Sequence, residues 1–279
     1  MQQVLFPSHP VVAFLTDFGL RDGYVGVMKG IVLGIAPQAQ LVDITHDISP
    51  QDIAAGAWML GTCYRYFPLG TVYTCVVDPG VGSARRPIAV RAGDWFFVGP
   101  DNGLFSYVLT EETIYEAVVL SNSAYHLPQV SATFQGRDLF APVAAYLARG
   151  VALSDLGAPI DPVSLRLLDL KYASRQKGRI EGHIVYIDHF GNLITNIPAS
   201  MVPDLFSCAA IQLTFSSQQT IVTERRRFFA ENSIQDELAA YPFVYIDSAG
   251  YVGIARQNGN AAATLGVRVG DVITLTIQA

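Results

Sequence analysis

Charge is scarce in this 279-residue chain: Asp, Glu, Lys and Arg make up 15% of it, against 51% hydrophobic residues. That balance excludes a disordered chain, which could not bury enough apolar surface to be ordered or would carry far more charge. The formal net charge of −6 argues against a nucleic-acid partner, whose phosphates require a basic surface. Cysteine is nearly missing. Cys63, Cys75 and Cys208 are odd in number and far apart, so they form neither a disulfide framework nor a Cys-x-x-Cys metal site. They are expected as reduced core thiols of a cytoplasmic protein. No apolar run reaches the roughly 20 residues of a membrane span, and residues 1–10 have neither the charged nor the apolar region of a signal peptide. The G-x-G-x-x-G and Walker patterns are absent, so nucleotide phosphates are not the obvious ligand. No G-x-S-x-G marks a hydrolase elbow. No His-x-x-His or Glu-x-x-His spacing favours a transition metal. His46 and Asp47 are the best metal candidates left, and capping of the loop before Ser49 explains them as well.

What the chain does contain is organised around Val72-Tyr73-Thr74-Cys75-Val76-Val77-Asp78-Pro79-Gly80. Its continuous apolar opening predicts a strand covered on both faces. Proline and glycine then end it, because proline lacks the N–H to continue a ladder and glycine accepts a tight turn. A carboxylate thus sits where a buried strand meets a glycine loop, and Arg85 and Arg86 follow within reach of it. An Asp capping its own turn is the plainer reading of the same residues. Upstream, Val11 to Leu15 predicts a strand ending at Thr16-Asp17-Phe18-Gly19, followed by a helix with Tyr24, Met28, Ile31, Val32 and Ile35 on one face. Leu41 to Ile44 predicts a second strand. Ser49-Pro50-Gln51-Asp52 reads as an N-cap, a proline at the first helical position and an acid three residues on. The helix after it runs through Ile53, Ala57, Leu60 and Tyr64. The order β-α-β-α-β predicts an α/β domain with a mostly parallel sheet flanked by helices. Asp17, Asp43 and Asp78 then fall at or next to strand ends along one edge, where open α/β sheets bind ligands.

Strands are expected over Ile88 to Arg91, Trp95 to Val98 and Ile114 to Leu120, with helices over Leu104 to Leu109 and Leu139 to Arg149. The texture changes after Lys177. Short strands pair across Asp188-His189-Phe190-Gly191-Asn192 and across Asp247-Ser248-Ala249-Gly250, with a helical turn at Asn260 to Leu265 and a last strand at Val272 to Ile277. The expected organisation is an α/β domain over 1–165, a linker over 166–178 and an all-β, barrel-like domain over 179–279.

Five motifs in order carry a resemblance: Thr16-Asp17-Phe18-Gly19 with Asp22; Val77-Asp78-Pro79-Gly80-Val81-Gly82 with Arg85-Arg86; Gly99-Pro100-Asp101-Asn102-Gly103; Thr133-Phe134-Gln135-Gly136-Arg137-Asp138; and Asp188-His189-Phe190-Gly191-Asn192. Together they resemble the S-adenosylmethionine (SAM) hydroxide adenosyltransferases, the adenosyl-forming SAM hydrolases related to the fluorinase and chlorinase. The resemblance implies attack of water or hydroxide on the ribose C5′ of SAM, releasing adenosine and methionine. SAM is the substrate and no cofactor is implied. It also implies a homotrimer with SAM at the subunit interface. Carried over position by position, Asp17 binds the ribose diol, Asp22 and Asp188 hold the methionine ammonium, and Ser248 meets its carboxylate end. Asn192 meets adenine with Phe190 against the ring, and Arg256 and Asn258 belong to the adenine side. Asp78 and Arg85 match two of the three residues that position and activate water.

The third departs from the pattern. The hydrolases carry histidine where this chain has Gln135, and an amide can orient water but cannot take its proton. General-base help is typically worth about 10²–10⁴ in rate. A protein that binds SAM or adenosine with weakened catalysis is therefore the alternative. Halogenation fits less well: the halogenating relatives lack an acid at the position of Asp78, and the fluorinase carries serine where Gly136 stands.

Overall fold

The computed structural model describes residues 9–231 and 241–278; most of the N-terminal stretch without a signal-peptide pattern, residues 1–8, lies outside them. The chain divides into two compact units, 1–169 and 170–279.

In the first unit the apolar runs become strands because both of their faces find cover. The elements follow as β1 (Val11–Thr16), α1 (Tyr24–Ile35), β2 (Gln40–Thr45), α2 (Ile53–Cys63), β3 (Val72–Val76), β4 (Pro87–Ala92), β5 (Trp95–Pro100), α3 (Ser106–Glu111), β6 (Ile114–Val119), α4 (Ala141–Ala148) and β7 (Ala158–Pro159). The sheet order is β2-β1-β3-β5-β4-β6-β7. The run β2-β1-β3-β5 is parallel, and the pairs from β5 through β4 and β6 to β7 are antiparallel. The sheet is therefore mixed, and its parallel half carries the strand ends of interest.

Side chains alternate across the sheet. Val12, Phe14, Val72, Val76, Phe96 and Val98 pack on one side, in the core that contains Met28 and Val32 of α1 and Val143 and Leu147 of α4. Ala13, Leu15, Tyr73, Cys75 and Phe97 pack on the other, with Leu60 of α2 and Val108 of α3. All six residues of β1 and all five of β3 are buried. At roughly 25 cal/mol per Å² of apolar surface, each of these two-sided strands contributes to both cores at once.

Three local expectations shift. The cap of α2 is Asp52, not Ser49: Asp52 Oδ1 accepts from the Ala55 N–H at 2.9 Å. Residues 49–52 instead form a turn, closed by Asp52 N–H to Ser49 C=O at 3.0 Å, with Gln51 in the left-handed region at φ +69°. Helical backbone begins at Gln135, ahead of Leu139: Gly136–Phe140 forms a wide π-type turn that runs without a break into α4. Asp43 lies inside β2, level with Phe14 of β1, two residues short of the strand end.

The second unit contains β8 (Ser174–Gln176), β9 (Arg179–Ile187), β10 (Leu193–Pro198), β11 (Ala210–Phe215), β12 (Gln218–Val222), β13 (Glu224–Arg225), β14 (Phe243–Ile246), β15 (Tyr251–Ala255), α5 (Ala261–Leu265) and β16 (Val272–Gln278). Its strands form one curved, nearly closed sheet in the order β12-β11-β16-β9-β10-β15-β14-β13, with β8 paired to β9. Alternate residues, among them Ile180, Ile184, Leu213, Phe215, Val252, Ile254, Ile273 and Leu275, fill a single interior. Helix α5 is capped by Asn260, whose Oδ1 accepts from the Ala263 N–H at 2.7 Å.

Candidate active site

β1 and β3 are parallel neighbours with Thr16 level with Val76, so the residues that follow them, Asp17 and Asp78, emerge on the same edge. Asp78 does not merely cap its turn. Arg85 Nε donates to both of its oxygens at 2.9 Å, and Nη2 donates to Oδ2 as well. Arg85 Nη2 also donates to Gln135 Oε1 at 2.6 Å, joining the loop after β3 to the wide turn before α4. The side chains of Arg85 and Asp78 are only 8% and 4% exposed, and the guanidinium lies 5.5 Å from the centre of the Phe140 ring. A buried, multiply bonded pair of this kind holds its geometry, since removing either partner would strand a charge.

A guanidinium has no acceptor, so the Gln135 atom facing Arg85 is its carbonyl oxygen. That leaves the amide Nε2 as the end that can donate to a water. Gly136 is buried next to it; a Cβ there would stand 3.1 Å from Met28 Sδ and 3.3 Å from the Phe134 ring. Gly82, at φ +76°, lets the loop after β3 close on the Ala132 carbonyl, which an added Cβ would approach to 2.6 Å.

The adjacent arginine does different work. Arg86 Nε donates to Asp101 Oδ2 at 2.8 Å, and Asp101 Oδ1 accepts from the Arg166 N–H at 2.8 Å. Asn102 Nδ2 donates to the Val77 carbonyl at 2.9 Å. The Gly99–Gly103 motif thus buttresses the strand end that carries Asp78. Asp138, 1% exposed, supports Gln135 in a similar way: its Oδ2 accepts from the Ser131 N–H at 2.8 Å, and its Oδ1 accepts from Arg137 Nε at 2.6 Å. These supporting roles of Asp101, Asn102 and Asp138 are invisible in the residue types alone; their only signal is that they fall inside the motifs.

Asp17 Oδ2 accepts from the Gln51 N–H at 2.8 Å. Phe18 stacks edge-on with Tyr24 and Phe134, at centroid separations of 5.9 and 6.0 Å. Asp22 is exposed just ahead of α1. Asp43 does not join this edge: Lys29 Nζ lies 2.6 Å from its Oδ2 and His46 Nε2 lies 2.9 Å from its Oδ1. Burial is the largest single influence on the Asp43 carboxyl and pushes its pKa up, but the hydrogen bonds and charges of Lys29 and His46 together bring it below the ordinary value. With its other nitrogen on Thr16 and Nε2 beside the Asp43 carboxylate, the buried His46 sits in a structural contact between β1 and β2. Among the described residues, no group of three or more His, Cys, Asp or Glu side chains could hold a metal ion. The three cysteines are free thiols, and burial pushes the Cys63 thiol up to about 11.

In the second unit, Asp188 organises the turn between β9 and β10. Its Oδ1 accepts from the Phe190 and Asn192 N–H groups at 2.9 and 2.8 Å, and its Oδ2 accepts from Asn192 Nδ2 at 2.7 Å. Asn192 is 4% exposed, with one amide N–H given to Asp188 and no donor to its side-chain carbonyl among the described residues. Phe190 is 73% exposed at the tip of the turn. Gly191, at φ +81°, admits the Asn260 side chain; a Cβ there would collide with it at 2.1 Å. Ser248 is exposed in the turn between β14 and β15, whose shape is set by Asp247 Oδ1 accepting from the Ala249 and Tyr251 N–H groups at 3.0 and 2.7 Å. Burial, with the Asp188 charge adding, raises the Asp247 carboxyl above its ordinary value. Arg256 Nη1 donates to Thr264 Oγ1 at 2.9 Å, and Asn258 is exposed at φ +50°.

Comparison with known proteins bears on what these sites do. Residues 12–157 match the family described as the SAM hydroxide adenosyltransferase N-terminal domain, and residues 182–274 its C-terminal domain. The chain is 36% identical over 268 residues to the (R)-S-adenosyl-L-methionine hydrolase of Salinispora tropica, covering 96% of this chain and 98% of that protein. It is 29% identical over 300 residues to a fluorinase of an Actinoplanes species, covering 96% and 98%. Among solved structures, an uncharacterized conserved protein from Thermotoga maritima superposes with a TM-score of 0.87 at 32% identity, covering 95% of this chain and 99% of that one.

Proposed function

Given that the chain belongs to the SAM hydroxide adenosyltransferase family, we propose that it is an enzyme hydrolysing S-adenosyl-L-methionine to adenosine and L-methionine, a reading supported by relatives named (R)-S-adenosyl-L-methionine hydrolase. The observation that carries the reading is the buried Asp78–Arg85–Gln135 cluster at the end of β3. A sulfonium leaves without acid assistance. The protein's task is to hold a water or hydroxide in line with the C5′–S bond, and such alignment is worth roughly 7–11 kcal/mol. Asp78 accepts a hydrogen bond from the nucleophile, Arg85 fixes that carboxylate, and the Gln135 amide N–H orients the nucleophile through a lone pair. The acid at position 78 and the hydroxyl-free Gly136 favour water over halide as the nucleophile.

Substrate binding is assigned to Asp17 for the ribose diol, Asp22 and Asp188 for the ammonium, Ser248 for the methionine carboxylate end, and Asn192, Phe190, Arg256 and Asn258 for adenine. The exposed Phe190 ring and the side-chain carbonyl of Asn192 support that assignment, since a purine offers a face to stack on and an amino group to donate. The assembly proposed is a homotrimer with SAM held at subunit interfaces, acting in a cytoplasm in keeping with the free thiols. Variants inactivated separately at Asp78 and at Asn192 should then restore activity when unfolded and refolded together; no restoration would count against shared sites.

Chromatography of the purified protein with SAM, beside Gln135→His, tests the function. Adenosine and methionine from the native chain are the expected products, with a rate that rises from pH 6 to 9 because no histidine base is present. His in place of Gln135 should raise the neutral-pH rate and flatten that rise. Product from the variant alone would make the native chain a SAM-binding protein, and a flat native profile would remove the hydroxide dependence.

A further inference from the structure

The loop that carries Asp17 is gripped by a side-chain relay that the reaction chemistry leaves unused. Thr16 Oγ1 lies 2.8 Å from His46 Nδ1, and His46 Nε2 lies 2.9 Å from Asp43 Oδ1, whose other oxygen meets Lys29 Nζ at 2.6 Å. The order Thr–His–Asp resembles that of a nucleophile activated by a base. Thr16 is 0% exposed and its oxygen already accepts from the Phe18 N–H at 3.2 Å, so it has no access to a substrate and cannot act as one. The proton positions follow from the partners. The Asp43 charge beside Nε2 favours the imidazole proton on that side, by proximity and without hydrogen-bond alignment, and Nδ1 then accepts from the Thr16 hydroxyl. Thr16 thus donates to His46 and accepts from Phe18, which fixes its rotamer and the backbone on both sides of Asp17.

Two backbone contacts close the same grip. The Gly19 N–H donates to the His46 carbonyl at 2.8 Å, and the Gln51 N–H donates to Asp17 Oδ2 at 2.8 Å. Gln51 delivers that N–H from a left-handed conformation, φ +69°, which a residue with a side chain adopts only when its surroundings hold it there. Residues 46–51 therefore contact the Asp17 loop at its start, at its end and at the carboxylate itself.

We propose that His46 is a positioning residue for substrate binding, setting the direction of the Asp17 carboxylate through Thr16 and Gly19, with Asp43 and Lys29 holding its imidazole in one tautomer. The proposal rests on the reading of Asp17 as a SAM ligand. Asp78, Arg85 and Gln135 lie on other loops, so losing the relay should weaken binding and leave the chemical step nearly intact.

The test compares Thr16→Val, Thr16→Ser and His46→Gln with the native protein, measuring kcat and KM for SAM and the adenosine dissociation constant by calorimetry. Thr16→Val removes the hydroxyl while keeping the volume. It should raise KM and the adenosine constant together by about five- to tenfold, the size of one lost hydrogen bond, with kcat within about twofold. Thr16→Ser, which restores the hydroxyl, should recover native values. His46→Gln should match Thr16→Val, and neither should add to the effect of Asp17→Asn when combined with it. Fully additive losses, or a fall in kcat at constant KM, would overturn the positioning role. Variants that bind SAM and adenosine like the native protein would overturn it as well. A native chain that neither binds nor cleaves SAM would instead defeat the functional reading, and this role with it.

Discussion

The two sets of candidate residues are held in opposite ways. Around β3, Asp78, Arg85 and Gln135 are joined by side-chain to side-chain bonds, three of them ionic, and the charged pair is almost wholly removed from solvent. Around the turn between β9 and β10, Asp188 bonds mainly to backbone N–H groups, and the ring it helps to present, Phe190, stands in solvent. A nucleophile needs charges whose positions do not relax and whose field is not screened, and burial supplies both. A ligand's ring needs a surface it can reach, and a short turn fixed by one carboxylate supplies that. The adjacent arginines make the same distinction within two residues: Arg85 faces Asp78 and Gln135, while Arg86, paired with Asp101, braces the loop from behind.

The contrast is broken most severely at Arg85. Arg85→Met leaves Asp78 buried without its partner, and the cost expected is about 3–5 kcal/mol of stability together with loss of measurable turnover. Denaturant unfolding and the SAM assay report the two, and native-like stability would show that the pair is not the buried unit described. Phe190→Ala sharpens the other side. It should raise KM for SAM by about three- to tenfold, the worth of one aromatic contact, and leave the melting temperature within error, because a ring that is 73% exposed contributes little to folding. A large drop in melting temperature would make Phe190 structural.

The smallest effect concerns Asp247. Its folded-state pKa lies above the ordinary value of 3.8, mainly through burial. The folded protein therefore holds this proton more tightly than the unfolded chain, and the stability this contributes is lost as pH rises from about 4 through the raised value. Asp247→Asn keeps an acceptor for the Ala249 and Tyr251 N–H groups. It should melt slightly above the native protein at pH 7 and converge with it near pH 3.5. A variant that is less stable at pH 7 would show that the charge itself supports the turn.

Much of the fold is legible because its signals are local. The apolar runs of β1 and β3 announce strands covered on both faces, and the Asp-rich and Gly-rich turns announce two hairpins of the second unit, β9–β10 and β14–β15. The misreadings arise where a distant contact overrides a local preference. Ser49-Pro50-Gln51-Asp52 has the spacing of a capping box, but Gln51 must turn its N–H toward Asp17, so Asp52 takes over as the cap. Leu139 has good helical neighbours, but the turn that aims Gln135 at Arg85 widens the backbone first. Asp43 looks like an edge carboxylate, and its pairing with Lys29 and His46 removes it from the edge. The pair β11 and β12 goes unread although Ile211, Leu213 and Phe215 alternate clearly.

Taken by itself, the sequence determined most of the elements, the two-part organisation and, through five ordered motifs, the family and its substrate. It also singled out Asp78, Arg85 and Gln135 without any measure of how they meet. Only the tertiary structure decided which of two neighbouring arginines reaches the carboxylate, which end of the Gln135 amide faces Arg85, and that His46 contacts Thr16 and Gly19 on either side of Asp17. The reason is one of range. Periodicity and turn chemistry act over a few residues, whereas Arg85 and Gln135 are fifty residues apart and Thr16 and His46 thirty, so their geometry exists only after the sheet has brought its strand ends together.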